Sequence, residues 1–138
     1  MILMIDNYDS FTYNIVSYLR ILKEEVIVKK NDEINLEEIK QLNPEIIVIS
    51  PGPKTPKESK ISLEIFEKLK GKYPILGICL GHQALAYSME LDIIKGPRPM
   101  HGKMTEIKHD GKGMFTDIPN PVKVMRYHSL IVDDSKFE

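Results

Sequence analysis

Gly77-Ile78-Cys79-Leu80-Gly81 places the only cysteine of this 138-residue chain in the G-x-nucleophile-x-G spacing of a nucleophile elbow. Small residues on both sides of such a bend let a strand turn sharply into a helix and leave the central side chain open to reactants. The flanking residues agree. Pro74-Ile75-Leu76 leads in as an apolar, partly β-branched run, and His82-Gln83-Ala84-Leu85-Ala86-Tyr87-Ser88-Met89 leads out as a helix. A thiol at that bend stands at a helix N-terminus, whose unpaired N–H groups and positive dipole end favour thiolate and lower the pKa from its free value of about 8.5. The same groups can hold an oxyanion, and the N–H of Leu80 is the natural first donor, worth roughly 3 kcal/mol to a tetrahedral intermediate. A lone cysteine at the end of an apolar strand is otherwise a small buried hydrophobe. Glycine at both positions and a helix directly after favour a nucleophile for acyl transfer instead.

The elements that would position Cys79 follow from the rest of the pattern. Met1–Ile5 is an apolar run closed by Asp6-Asn7-Tyr8-Asp9-Ser10, after which Phe11, Ile15, Tyr18 or Leu19, and Leu22 recur at helical spacing. Residues 25–29 form a second short strand, and Asn35-Leu36-Glu37-Glu38 resembles a capping box that opens a helix stopped by Asn43-Pro44. Ile46–Ser50 is apolar without alternation, as in the middle of a parallel sheet. The stiff loop Pro51-Gly52-Pro53-Lys54-Thr55-Pro56 comes next, then a helix with Ile61, Ile65 and Leu69 on one face and Gly71 at its end. Strands alternating with helices predict a doubly wound, mostly parallel α/β sheet with helices on both faces. Its ligands bind at the carboxyl ends of the strands, where residues 6–10, residues 50–55 and Cys79 should converge. Later residues read as antiparallel: strands at 91–94 and 103–108 around a loop at 96–102, then 122–127 and 130–132 around His128-Ser129.

Composition bounds the class. The length fits a single domain, 1–138. With 19 basic and 20 acidic residues the net charge is -1, which implies no nucleic-acid partner. One cysteine excludes an internal disulfide and a multi-cysteine zinc site and suits a reducing cytoplasm. Met1–Ile5 is too short for a signal segment, and no apolar run approaches membrane-spanning length, so a soluble cytoplasmic protein is the expectation. Asp6 and Asp9 lack a neighbouring histidine and are better helix caps than metal ligands. The Tyr8, Phe11, Tyr13 stripe suits packing or a partner surface.

Six segments in order, 6–14, Asn31-Asp32-Glu33, Ser50-Pro51-Gly52-Pro53, 77–83, Met100-His101-Gly102-Lys103 and 126–130, resemble the motifs of class I glutamine amidotransferases. More narrowly, they are similar to the glutaminase subunit of anthranilate synthase or of aminodeoxychorismate synthase. The resemblance spans the whole chain. It implies hydrolysis of the glutamine side-chain amide through a Cys79 thioester, with ammonia passed to a chorismate-using synthase subunit and with no cofactor or metal. It also implies a second oxyanion donor from the Gly52 backbone and contacts to glutamine from Gly52, Pro53, Lys54, Gln83, Ser129 and Leu130. The loop Met100–Lys103 would face the synthase.

The chain departs from the family in three places. Lys54 stands where the family usually has glycine, and Ser88-Met89-Glu90-Leu91 where it tends to have paired glycines. The family's His-x-Glu pair, which activates the cysteine, would lie beyond Glu138, so the domain is expected to be C-terminally incomplete relative to the family. By that pattern His128 shapes the glutamine pocket and is not the base; His82 is structural, and His109 is a solvated turn residue. Other doubly wound proteins fit less well. A response regulator wants an aspartate where Ser50 stands, a flavodoxin wants a phosphate loop where Asp6–Asp9 is acidic, and PfpI-type thiol hydrolases place histidine where Leu80 is. A catalytically idle binding subunit of the same fold is the alternative, favoured by Lys54; the intact elbow favours an enzyme.

Overall fold

A computed structural model describes residues 1–136. Their contacts define two compact units, Met1–Ile93 joined by the segment from Val132 onward, and Ile94–Ile131.

The first unit alternates β1 (Ile2–Asp6), α1 (Thr12–Ile21), β2 (Val26–Lys30), α2 (Leu36–Leu42), β3 (Ile46–Ile49), α3 (Lys60–Leu69), β4 (Ile75–Gly77) and α4 (Leu80–Ser88). All four strands are parallel, in the order β2-β1-β3-β4. Every residue of β1 is buried, because successive side chains enter opposite layers and both layers are covered. Leu3, Ile5, Ile47 and Ile49 pack with Ile39 of α2, with Ile61, Ile65, Phe66 and Leu69 of α3, and with Ala84 of α4. Ile2, Met4, Val26 and Val48 pack with Val16, Ile15 and Leu19 of α1 on the other side. The expected doubly wound arrangement is therefore present. Burial of each large aliphatic side chain on α3 contributes about 1.5–3 kcal/mol, which fixes that helix to the sheet.

Local signals set the boundaries. The Asn35 side chain accepts the Glu38 N–H at 2.9 Å to start α2, and Asn43 ends it in a left-handed conformation (φ 47°) before Pro44. From β1 the chain moves out to β2 and returns on the other side of β1 to β3. The carboxyl ends of β1 and β3 therefore flank the crevice where a doubly wound sheet binds its ligands.

The second unit carries a two-stranded antiparallel sheet of β5 (Ile93–Ile107) and β6 (Val122–Val132). Two expectations are corrected here. The predicted loop at 96–102 is part of β5, for which Pro97 and Pro99 are no obstacle: each strand of a two-stranded sheet has one unpaired edge, and residues two apart point their missing N–H the same way. The predicted break at His128-Ser129 is likewise absent, because the polar side chain is satisfied along its own strand. His128 Nδ1–H donates to the Leu130 carbonyl at 3.0 Å, while its Nε2 accepts from Arg126 Nε–H at 2.9 Å.

Candidate active site

Cys79 joins β4 to α4 at φ 53° and ψ -103°, a conformation that costs a non-glycine residue roughly 1–3 kcal/mol. Its surroundings hold it there. The Ile78 N–H donates to Ile49 O at 3.0 Å, tying the bend to β3, and the Cys79 carbonyl accepts the Gln83 N–H at 2.9 Å to begin the helix. The flanking glycines are required by space. A Cβ on Gly77 would lie 2.5 Å from the Gly81 carbonyl carbon and oxygen, and one on Gly81 would lie 2.5 Å from the Ile49 oxygen. The strand, bend and helix are thus in backbone contact.

The thiol is half-buried. Burial pushes its pKa up, a hydrogen bond with the Leu80 N–H pulls it down, and the negative charge of Asp9 pushes it up again, with a net rise. The expected lowering is corrected accordingly: the Leu80 N–H does face the sulfur, but desolvation outweighs it. Cys79 rests mainly as the thiol at neutral pH.

Across from the bend, Gly52 packs against Leu80 and Asn7; a Cβ there would sit 2.6 Å from Leu80 Cδ2 and 2.7 Å from Asn7 Cβ. Pro51 and Pro53 have no N–H, and the Gly52 N–H has no hydrogen-bond partner among the described residues. Lys54 is exposed at φ 66°. A cavity of about 260 Å³ borders this loop, with Asn7, Tyr8, Pro53, Lys54, Thr55 and Leu80 in its wall. Gln83 is buried in the first turns of α4.

The first unit carries Gly52, Pro53, Lys54, Cys79, Leu80 and Gln83: Pro53, Lys54 and Leu80 share the cavity wall and Gly52 packs on Leu80, while Cys79 and Gln83 are joined through the first turn of α4 and are not among the residues lining that cavity. The remaining sequence-derived residues belong to the second unit: Ser129 (exposed) and Leu130 (half-buried) on β6, and Met100 (buried) with exposed His101, Gly102 and Lys103 on β5. Asp6 and Asp9 serve the loop after β1: Asp6 Oδ1 accepts from Thr12 Oγ1 at 2.9 Å, and Asp9 accepts the Phe11 N–H at 2.8 Å. Two histidine expectations are corrected. His82 is exposed on α4 rather than structural. His109 is half-buried and braces its turn: Nδ1 accepts the Gly111 N–H, Nε2 donates to Pro119 O at 2.8 Å, and the ring stacks on Phe115. Both ring nitrogens of His128 are also engaged in hydrogen bonds within β6.

Sequence reasoning missed the buried polar cluster of Asn7, Ser50, Ser59 and Ser62 beneath the Gly52 loop. Ser59 and Ser62, one turn apart at the start of an otherwise apolar helix face, were the available signal.

A glycine at position 54 should relieve the positive φ. Relief of about 1 kcal/mol or more is partly offset by about 0.5–1 kcal/mol of extra freedom in the unfolded chain. Lys54→Gly is therefore expected to leave stability equal or up to about 1 kcal/mol higher, read from urea unfolding midpoints. A clear loss would show that the Lys54 side chain makes a stabilising contact.

The Glutamine amidotransferase class-I family matches residues 3–138. The chain is 54% identical over 132 residues to the aminodeoxychorismate/anthranilate synthase component 2 of Bacillus subtilis, covering 96% of this chain and 68% of that protein. It is 53% identical over 137 residues to the anthranilate synthase component 2 of Porphyra purpurea, covering 99% and 72%. Among solved structures, a glutamine amidotransferase of Thermotoga maritima shares the fold at a TM-score of 0.74 and 21% identity, covering 96% of this chain and 61% of that one. The strained cysteine bend on a doubly wound sheet and a match through both units lead to one conclusion: the chain belongs to the class I glutamine amidotransferase family.

Proposed function

We propose that the chain is the glutaminase subunit of a chorismate-using synthase of the anthranilate type, with aminodeoxychorismate synthesis as the alternative branch. The observation that carries the proposal is the Cys79 backbone, held at φ 53° between two glycines that admit no side chain. A buried structural cysteine has no need of such strain, whereas a nucleophile aimed out of a bend does.

In this mechanism the Cys79 sulfur gives up its proton and attacks the amide carbon of glutamine. The carbonyl oxygen becomes an oxyanion held by the N–H groups of Leu80 and Gly52. The C–N bond then breaks, the leaving nitrogen takes the proton that the sulfur gave up and departs as ammonia, and water adds to the thioester carbonyl, its oxygen going to glutamate and a proton returning to the sulfur. Gln83, Pro53 and Lys54 of the first unit would hold glutamine, and Met100–Lys103 of the second would meet the synthase. The relatives are component 2 proteins named for such synthases, which supports both the substrate and the partner. No helix among the described residues is long and apolar enough to cross a membrane, which is in keeping with a cytoplasmic site of action.

The test is differential labelling of the chain bound to its synthase. At pH 7 iodoacetamide should alkylate Cys79 more slowly than free cysteine, with a rate that keeps rising as the pH passes the ordinary thiol range. A chloroketone analogue of glutamine should label Cys79 stoichiometrically and faster than it labels free cysteine. An analogue no faster on the protein than on free cysteine would remove the glutamine pocket from consideration.

A further inference from the structure

We infer that Asn7 is a positioning residue for the oxyanion loop, an assignment that rests on the glutaminase reading above. Asn7 follows β1 at the crevice of the sheet and is 2% exposed. Its amide is locked in one orientation: Oδ1 accepts from Ser59 Oγ at 2.6 Å and from Asn31 Nδ2 at 3.0 Å. That turns Nδ2 to the Ser50 carbonyl, to which it donates at 3.1 Å. The Asn7 main-chain N–H donates to Ser50 Oγ at 2.9 Å, and Ser50 Oγ donates in turn to the Pro51 carbonyl at 2.6 Å. Gly52 then rests on the Asn7 Cβ and carbonyl oxygen, too close to admit a side chain.

These bonds matter because the loop has almost no others. The Ser50 N–H still pairs with Ile5 O in the sheet, at 3.1 Å. For residues 51–54, the only hydrogen bond among the described residues is the one from Ser50 Oγ to Pro51 O. The direction in which the Gly52 N–H points is therefore set by the Ser50–Pro51 backbone, and Asn7 sets that backbone from two sides. A hydrogen-bond donor misplaced by about 1 Å costs on the order of 100-fold in rate. The loss falls on the transition state, because the oxyanion exists only there.

The experiment compares Asn7→Asp and Ser50→Ala with the parent, each in complex with the synthase subunit. Asn7→Asp keeps size and the acceptor for Ser59 and Asn31 but turns an oxygen toward the Ser50 carbonyl; Ser50→Ala removes the acceptor of the Asn7 N–H and the tie to Pro51. Glutamine kcat should fall about 100-fold in Asn7→Asp and at least about 10-fold in Ser50→Ala, with KM within about threefold of the parent and iodoacetamide alkylation of Cys79 within about twofold. If Asn7→Asp does not fold, Ser50→Ala alone decides. A folded variant that turns over glutamine within about twofold of the parent overturns the assignment, and so does a parallel fall in kcat, alkylation rate and thermal midpoint, which would mark Asn7 as a general structural residue. A parent complex that makes no product from glutamine would instead overturn the glutaminase reading itself.

Discussion

Cys79→Ser abolishes glutamine-dependent product formation, by at least about 10⁴-fold, while synthesis from added ammonia by the partner continues at the parent rate. The hydroxyl is a far weaker acid and nucleophile than the thiol, and the few donors around it cannot make up the difference. Cys79→Gly separates this from a structural role. Glycine adopts φ 53° freely and so recovers about 1–3 kcal/mol of strain, against about 0.5–1 kcal/mol of added unfolded-state freedom and a little lost burial. The inactive glycine variant should therefore be more stable than the parent by about 1 kcal/mol, read as a rise in the urea midpoint at constant slope. A cysteine retained for packing predicts the opposite sign, because deleting a packed side chain leaves a cavity. A fall in the midpoint, or parent-level glutamine use by Cys79→Ser, would remove the cysteine from the mechanism.

The sheet was legible because its strands are short apolar runs interrupted by polar loops; Ile46–Ile49 is marked by its shortness and β-branched side chains, whereas Ile61, Ile65 and Leu69 of α3 recur at helical spacing. The bend was legible for a different reason, since two glycines around one cysteine have few other uses. Proline misled where pairing was one-sided: Pro97 and Pro99 look like loop residues until β6 supplies a partner for only one edge of β5. The ionisation of Cys79 could not be read from spacing at all. Helix-terminal N–H groups and burial act in opposite directions on a thiol, and only coordinates reveal how much water the sulfur retains. Asn7 escaped notice because its importance lies in contacts with Asn31, Ser50 and Ser59, distant in sequence and adjacent in space.

Gly81→Ala should destabilise the fold by about 3 kcal/mol and reduce glutamine use more than 100-fold, against what helix propensity alone predicts. Gly81 lies in the first turn of α4 at negative φ, where alanine would ordinarily help by about 1 kcal/mol. Here the added methyl would lie 2.5 Å from the Ile49 carbonyl oxygen and 3.0 Å from Ile49 Cβ. Neither atom can rotate aside, because Ile49 is fully buried at the end of β3, a central strand, and its oxygen already accepts the Ile78 N–H. Relief must come from moving α4 away from β3. That movement carries off the Leu80 N–H from the sulfur and the Leu80 side chain from Gly52, so stability and activity fall together. Gly77→Ala should behave alike, since its methyl would meet the Gly81 carbonyl from the other side of the bend. Gly71→Ala provides the control: its position is open, so only the cost of φ 81°, about 1–2 kcal/mol, should register, with glutamine turnover intact. A Gly81→Ala variant within about 1 kcal/mol of the parent in urea unfolding would mean that strand and helix need not touch, and the steric reason for the G-x-C-x-G spacing would be lost.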